Sequence, residues 1–101
     1  MIAARIDIPL EKIRDFCARW KITEFALFGS VLREDFRTDS DVDVLISFEA
    51  NVPWTYFDYV QMKDELRVIF SRKVDLVTKR SLKNPYRRAD ILRTHRVVYA
   101  A

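Results

Sequence analysis

Residues 23–48 read TEFALFGSVLREDFRTDSDVDVLISF, and this stretch decides how the whole chain is interpreted. Residues 23–28 form a short apolar and aromatic run that stops at Gly29, the only glycine in the chain. Such a run is typical of a buried strand that ends in a sharp turn. Residues 41–48 alternate between polar and apolar side chains, which predicts a second strand with its acidic residues on one face.

Apolar side chains recur at helical spacing on both sides of these strands, and prolines stand where two of the helices would begin. Residues 73–78 alternate again and predict a third strand. The predicted fold class is therefore α+β, a small mixed β-sheet of about three strands packed against helices. The predicted helices cover residues 7–20, 53–70 and 85–94, and Ser30 is expected to cap a short helical segment over residues 31–36.

The length and composition of the chain exclude several classes of protein. A chain of 101 residues fits a single domain, 1–101, with one core. Charged residues interrupt every apolar run before it reaches the roughly 18 residues of a membrane span. The first residues lack the apolar stretch of a secretory signal, so we expect a cytoplasmic protein. One cysteine and one histidine cannot supply four zinc ligands, which excludes zinc fingers.

The charge of the chain is unevenly distributed. Residues 71–101 hold nine Lys or Arg against two Asp, a formal charge of +7, which leaves −4 for residues 1–70. A basic segment of this kind meets phosphates or an acidic partner in some proteins. Charge runs are more often solvated helix faces, so the asymmetry alone assigns no function.

Gly29 and Ser30 stand where the first strand turns into the following segment. Glycine, which has no β-carbon, permits unusual backbone angles and lets a bulky ligand come close. The free N–H groups of a helix start, together with the Ser30 hydroxyl, attract phosphate. The alternative is an ordinary turn with a helix cap, and a Gly-Ser pair alone does not distinguish the two.

Three aspartates are the candidate metal ligands. Asp41 and Asp43 lie two residues apart on a strand, so their carboxylates project to the same side and repel each other unless a cation is present. Mg²⁺ prefers one or two carboxylates together with substrate phosphates. Asp75 stands among apolar residues of the third strand and is either a third ligand or a residue that faces solvent. Arg33 is either a phosphate ligand or a solvated helix residue.

Other nucleotide-binding and nucleophilic chemistries lack the residues they need. One glycine cannot form a Walker A loop, a kinase glycine-rich loop or a dinucleotide fingerprint. His95 has no serine elbow to accompany it in a catalytic triad.

In order along the chain, Gly29-Ser30, Asp41-Val42-Asp43 and the segment KVDLV at residues 73–77 resemble the minimal nucleotidyltransferase (MNT) family of the DNA polymerase beta-like superfamily. The signature of that family is Gly-Ser, a spacer, Asp-x-Asp and a third Asp on a later strand. The resemblance spans nearly the whole chain and implies a nucleotidyltransferase fold. The chain is similar to the antitoxins of HEPN/MNT toxin–antitoxin pairs.

The resemblance also implies a reaction and a set of roles. Two Mg²⁺ ions held by Asp41, Asp43 and Asp75 would bind ATP or another nucleoside triphosphate, while Gly29, Ser30 and an arginine matching Arg33 hold the triphosphate. AMP would pass to a hydroxyl, expected to be a tyrosine, of a cognate HEPN-type RNase toxin, and pyrophosphate would leave. The chain departs from the family at residues 34–35, Glu-Asp, where relatives often have glycine. No membrane and no direct DNA binding are expected.

Two alternatives remain open at this point. The protein could neutralise a toxin by binding alone, with the acidic site idle. It could instead modify a small molecule, but enzymes of that kind usually carry a further domain. A partner macromolecule is favoured because a nucleotidyltransferase core uses the whole length of 101 residues.

Overall fold

One mixed β-sheet forms the centre of the fold. The computed structural model describes residues 8–33 and 40–101. In this part of the chain the strands are arranged in the order β3-β2-β1-β4. β1 is antiparallel to β2 and to β4, whereas β2 and β3 run parallel. The strands are β1 (Ile22–Phe28), β2 (Val42–Phe48), β3 (Val74–Thr78) and β4 (Arg96–Ala100).

Three α-helices of the described residues pack on the sheet, and local sequence signals set their ends. They are α1 (Leu10–Trp20), α2 (Tyr56–Phe70) and α3 (Pro85–Thr94), and 3-10 helices cover Gly29–Leu32 and Lys79–Ser81. Thr55 and Asp58 form a capping box at the start of α2. Asn84 accepts hydrogen bonds from two backbone N–H groups at the start of α3. α1 ends at Trp20, and Lys21 after it has the left-handed backbone angles that terminate a helix.

The core lies on both faces of the sheet. α1 and α2 cover one face and α3 covers the other, so β2 is buried on both sides in its middle part. On the first face the cluster includes Ile13, Phe16, Phe25, Val44, Met62, Leu66 and Leu76. On the second it consists of Ala26, Phe28, Leu45, Leu82 and Ile91. This second face also carries the acidic residues of β2 and β3, because they alternate with Val42, Val44 and Leu76.

The α+β class is confirmed, but the number of strands was wrong. The sheet has four strands among the described residues, and β4 is the one that the sequence did not predict. β4 is five residues long and begins right after His95, the single residue that separates it from α3. Its first residues, Arg96 and Val97, are exposed and show no clear alternation. Pairing with β1, with Tyr99 opposite Phe25, makes this segment a strand.

The segment after Gly29 differs from its prediction. Ser30 does not cap a helix, because it lies inside the 3-10 helix Gly29–Leu32, whose preceding residue is Phe28. The helix ends at Leu32, and residues 34–36 of the predicted segment lie outside the described part of the chain. Phe28 is extended and Gly29 has a positive φ, so the turn begins one residue earlier than Ser30 and leaves no capping position for it.

The buried face of α2 also differs from its prediction. Phe57 and Val60 were expected on the apolar stripe, but they are 82% and 38% exposed. The residues that α2 buries are Met62, Leu66 and Phe70, four apart. Apolar residues occur on both sides of this helix, so spacing alone could not select the side that meets the sheet.

Glu65 joins α1 to α2. Its carboxylate accepts hydrogen bonds from the Arg19 guanidinium at 2.7 Å and from the Trp20 indole N–H at 3.2 Å. Burial alone would raise the pKa of Glu65, but these hydrogen bonds outweigh it and lower the pKa below the ordinary value of 4.5. The charged carboxylate is therefore the form that the folded state prefers.

We expect Glu65→Gln to lower the free energy of unfolding at pH 7 by on the order of 1 kcal/mol. Because the pKa of Glu65 is lower in the folded state than in the unfolded state, its charged carboxylate stabilises the fold at pH values above the unfolded-state pKa. This stabilisation is lost as the pH falls through the folded-state pKa. The difference between wild type and variant should therefore shrink as the pH falls below the ordinary pKa of 4.5. Urea titrations at several pH values measure it, and a difference that is unchanged at low pH would contradict this account.

Candidate active site

Asp43 and Asp75 lie side by side on the second face of the sheet. In the parallel pairing of β2 with β3, Asp43 is in register with Asp75. Neighbouring strands lie about 4.8 Å apart, and residues in register point to the same face. Asp43 is half-buried and Asp75 is exposed. The sheet therefore presents two adjacent carboxylates, one at its interior and one at its edge strand.

Gly29 lies directly against Asp43. β1 pairs with β2 so that Phe28 is opposite Asp43, which brings the following residue over the carboxylate. Gly29 has a φ of +74°, and a β-carbon at this position would lie 2.2 Å from Oδ2 of Asp43. The backbone N–H of Ser30 donates a hydrogen bond to the Asp43 carboxylate. The only glycine of the chain is thus required both by its backbone angle and by the space that Asp43 occupies.

The acidic groups act on one another. The pKa of Asp43 is raised from 3.8 to about 6, first by burial and then by the negative charges of Asp75 and Asp41. The hydrogen bond from Ser30 and the positive charge of Arg87 oppose this rise. A cation placed between the carboxylates would relieve their repulsion, so the site has the electrostatics of a cation site.

The other predicted site residues surround this pair. Asp41 is exposed and lies just before β2 begins, and its charge acts on Asp43. Asp75 projects from β3 with its side chain open to solvent, as one of its two interpretations expected, yet it lies beside Asp43. Arg33 is exposed at the end of the first 3-10 helix, where its backbone N–H donates to the Ser30 carbonyl oxygen.

The carboxylates fit Mg²⁺ bound together with a substrate better than a closed metal centre. Among residues 8–33 and 40–101, no three His, Cys, Asp or Glu side chains lie close enough together to enclose a metal ion. Mg²⁺ does not need such a cage, since it usually takes one or two carboxylates and completes its shell with water and phosphate oxygens. The Asp43–Asp75 pair, with Asp41 nearby, offers this donor set.

A cavity lined by described residues lies elsewhere. It has a volume of about 640 Å³ and is found where β2 and β3 end, at the opposite end of the strands from Asp43 and Asp75. Its lining includes Lys79, Arg80 and Arg88. Lys79 is already paired with Glu24 at 2.7 Å, and Arg88 donates to the Lys79 carbonyl oxygen. The acidic residues Asp41, Asp43 and Asp75 are not part of the lining of this cavity.

Sequence reasoning missed two residues near the carboxylates. Arg87 acts electrostatically on Asp43 from α3, which the sequence could not place on this face of the sheet. The Tyr59 hydroxyl donates a hydrogen bond to the Leu76 carbonyl oxygen of β3, and the charge of Asp75 helps to raise the pKa of Tyr59 after burial does. The spacing of residues along the chain gives no sign of this bond.

Within the described ranges, no helix is both long enough and apolar enough to cross a lipid bilayer.

Comparison with known proteins identifies a family. The model of the nucleotidyltransferase domain family matches residues 10–98. A candidate protein adenylyltransferase of Methanocaldococcus jannaschii is 37% identical over 68 residues, which cover 67% of this chain and 68% of the relative. The protein adenylyltransferase MntA of Thermococcus cleftensis is 36% identical over 66 residues, 65% of each chain.

Solved structures share the fold. A candidate minimal nucleotidyltransferase superposes with a TM-score of 0.67 and 33% identity, covering 88% of this chain and 95% of the other. A structure of a tri-AMPylated HEPN toxin of Shewanella oneidensis in complex with its MNT antitoxin contains a chain that matches with a TM-score of 0.64. That match has 18% identity and covers 91% of this chain and 70% of the other, so it supports the fold alone.

Proposed function

This chain belongs to the nucleotidyltransferase domain family, and from that premise we propose that it transfers AMP from ATP to a hydroxyl of a partner protein. The observation that carries the proposal is the contact between the Gly29-Ser30 turn and Asp43, with Asp75 in register beside it. A phosphate-binding turn and a cation-binding pair of carboxylates are the two parts that nucleotidyl transfer requires.

The turn after β1 would hold the triphosphate. The first 3-10 helix leaves N–H groups at its start, and Gly29 lets the ligand approach the backbone closely. The hydrogen bond from Ser30 to Asp43 fixes the turn against the carboxylates, so phosphate and acidic groups are held in one arrangement. Arg33 is exposed at the end of this turn, and an arginine suits contact with the outer phosphates because its planar fork matches phosphate oxygens.

Asp41, Asp43 and Asp75 would hold Mg²⁺, in two ions as the resemblance implies. When bound, Mg²⁺ supplies positive charge that offsets the charge of the transferring phosphate. The half-buried Asp43, with a pKa raised by burial and by its acidic neighbours, is the group whose charge a cation would stabilise most. Asp41 and Asp75 are more exposed and flank it.

The acceptor hydroxyl would approach from the side of β3. Asp75 is exposed on the edge strand, so a side chain of another protein reaches it without opening the fold. We assign Asp75 the role of accepting the hydroxyl proton while the oxygen forms its bond to the α-phosphorus. The bond between the α-phosphorus and the bridging oxygen then breaks, and pyrophosphate leaves. The products are the AMP-modified partner and pyrophosphate.

The proposed partner is a HEPN-type toxin, modified on a tyrosine and thereby silenced. Two relatives above 35% identity carry protein adenylyltransferase in their names. The chain of the same fold in the Shewanella oneidensis complex is joined to an AMPylated HEPN toxin, which supports the choice of partner class. In this role the protein would be an antitoxin, acting in the cytoplasm.

Incubation with α-labelled ATP, Mg²⁺ and the product of the neighbouring gene tests the proposal. We expect label on the partner, no label when a chelator removes the metal, and recovery when Mg²⁺ is added back. Mass spectrometry should locate AMP on a tyrosine of the partner. Absence of label with each of the four nucleoside triphosphates would count against transfer. Growth rescue by an Asp41→Asn, Asp43→Asn double variant would then favour neutralisation by binding alone.

A further inference from the structure

Arg87 lies on the side of α3 that faces the sheet. It occupies the first turn of α3, one helical turn before Ile91, so the two residues share a face of the helix. Ile91 is 8% exposed and packs with Ala26, Phe28 and Leu45 on the second face of the sheet. Arg87 therefore lies on the side of α3 that packs on this face of the sheet.

The carboxylates lie on the same face of the sheet. Asp43 precedes Leu45 by two residues, and Asp75 precedes Val77 by two residues. Leu45 and Val77 belong to the same apolar cluster as Ile91. Because side chains two apart on a strand share a face, Arg87 and the two aspartates meet on one side of the sheet. The attraction between Arg87 and Asp43 agrees with this placement.

The Arg87 guanidinium is near the acidic cluster but is not bound to it. Arg87 is exposed, and within residues 8–33 and 40–101 its side chain makes no ion pair and no hydrogen bond. Its neighbours on the helix differ, since Arg88 donates to the Lys79 carbonyl oxygen at 2.9 Å and Arg93 pairs with Asp90. The Arg87 guanidinium thus places a positive charge near the carboxylates, and its N–H donors can bind a ligand.

We infer that Arg87 is a substrate-binding residue that contacts the triphosphate of the nucleotide. The inference rests on the proposed transferase function and adds a ligand contact from α3 to those of the Gly29-Ser30 turn. Three carboxylates repel an incoming triphosphate, so a fixed cation beside them favours binding of the substrate. Arginine suits this task because its planar fork donates two parallel hydrogen bonds to phosphate oxygens.

Titration calorimetry with a non-hydrolysable ATP analogue and Mg²⁺ tests the inference on wild type, Arg87→Ala, Arg87→Lys and the control Arg93→Ala. We expect Arg87→Ala to weaken analogue binding by about 10-fold to 100-fold, the loss that follows when a charged donor is removed from phosphate. Arg87→Lys should recover part of the affinity. Arg93→Ala, which removes an exposed pair on the same helix, should bind as wild type does.

Adenosine, which has no phosphate, separates a phosphate contact from a general loss of structure. Its affinity should be equal in wild type and Arg87→Ala, and the melting temperatures should agree within a few degrees. The inference is overturned if Arg87→Ala binds the analogue within twofold of wild type, or if adenosine binding falls by the same factor. Failure of the proposed function looks different, because wild type itself would then bind no analogue or label no partner.

Discussion

Asp43→Asn should reduce transfer of label from ATP to the partner by on the order of a thousandfold while leaving the protein as stable as wild type, or more stable. Asparagine has nearly the shape of aspartate and its oxygen still accepts the hydrogen bond from Ser30, but it lacks the charge that a cation needs. Single-turnover rates with saturating ATP and Mg²⁺ measure the first effect.

The stability of the same variant provides the physical check. In the folded state burial, Asp75 and Asp41 hold the pKa of Asp43 at about 6, above its ordinary 3.8. At pH 7, above both values, the folded state carries the whole cost of the charged form. Removing the charge removes this cost, so without metal the melting temperature should not fall.

Asp90→Asn is the matched control, since Asp90 is an exposed partner in a surface pair with Arg93. It should change neither transfer nor melting. If Asp43→Asn transfers label at the wild-type rate, Asp43 is not an active-site residue. If the variant loses much of its stability, the Asp43 carboxylate is a structural ion instead.

Gly29→Ala is the second variant with a large expected effect, in this case on both stability and transfer. A left-handed φ of +74° costs an alanine about 1–2 kcal/mol. The added β-carbon, 2.2 Å from Oδ2 of Asp43, must also displace that carboxylate or the turn. Overpacking of this kind costs about 1–3 kcal/mol. We expect a free energy of unfolding lower by roughly 2–5 kcal/mol and transfer reduced at least a hundredfold.

A double-mutant cycle separates the two causes. In an Asp43→Ala background the clash is gone, so Gly29→Ala should then cost only the backbone part, about 1–2 kcal/mol. Urea unfolding of the four proteins supplies the numbers. If Gly29→Ala lowers the free energy of unfolding equally in both backgrounds, Gly29 does not pack against Asp43. If Gly29→Ala keeps full transfer activity, the turn does not hold the triphosphate.

The sequence predicted those features that depend on local pattern. The alternation over residues 41–48 and 73–78 placed two strands, and Pro85 placed the start of α3, whose predicted bounds match those that the structure shows. The carboxylates of Asp43 and Asp75 could be expected on strands, and the structure adds that the two are in register. Their assignment as metal ligands, together with Asp41, stays a prediction.

What the sequence could not predict depends on contacts between distant segments. β4 has little pattern of its own and becomes a strand through pairing with β1. The face of α2 that meets the sheet is chosen by the fit of Met62 and Leu66, because Phe57 and Val60 are equally apolar. Arg87 reaches the acidic site only because α3 folds back over the second face of the sheet, and spacing along the chain does not reveal that path.

The bond between Tyr59 and Leu76 limits how this protein can associate with others. The backbone N–H of Val42 donates to the Lys73 carbonyl oxygen. In this parallel register the backbone hydrogen-bonding groups of Lys73, Asp75 and Val77 point towards β2, and the carbonyl oxygen of Leu76 points away from it. An exposed sheet edge invites a foreign strand to extend it, which leads to aggregation. To pair with β3, a foreign strand would have to break the hydrogen bond between the Tyr59 hydroxyl and the Leu76 carbonyl oxygen. The Tyr59–Leu76 hydrogen bond therefore disfavours addition of a strand at the β3 edge that carries Asp75.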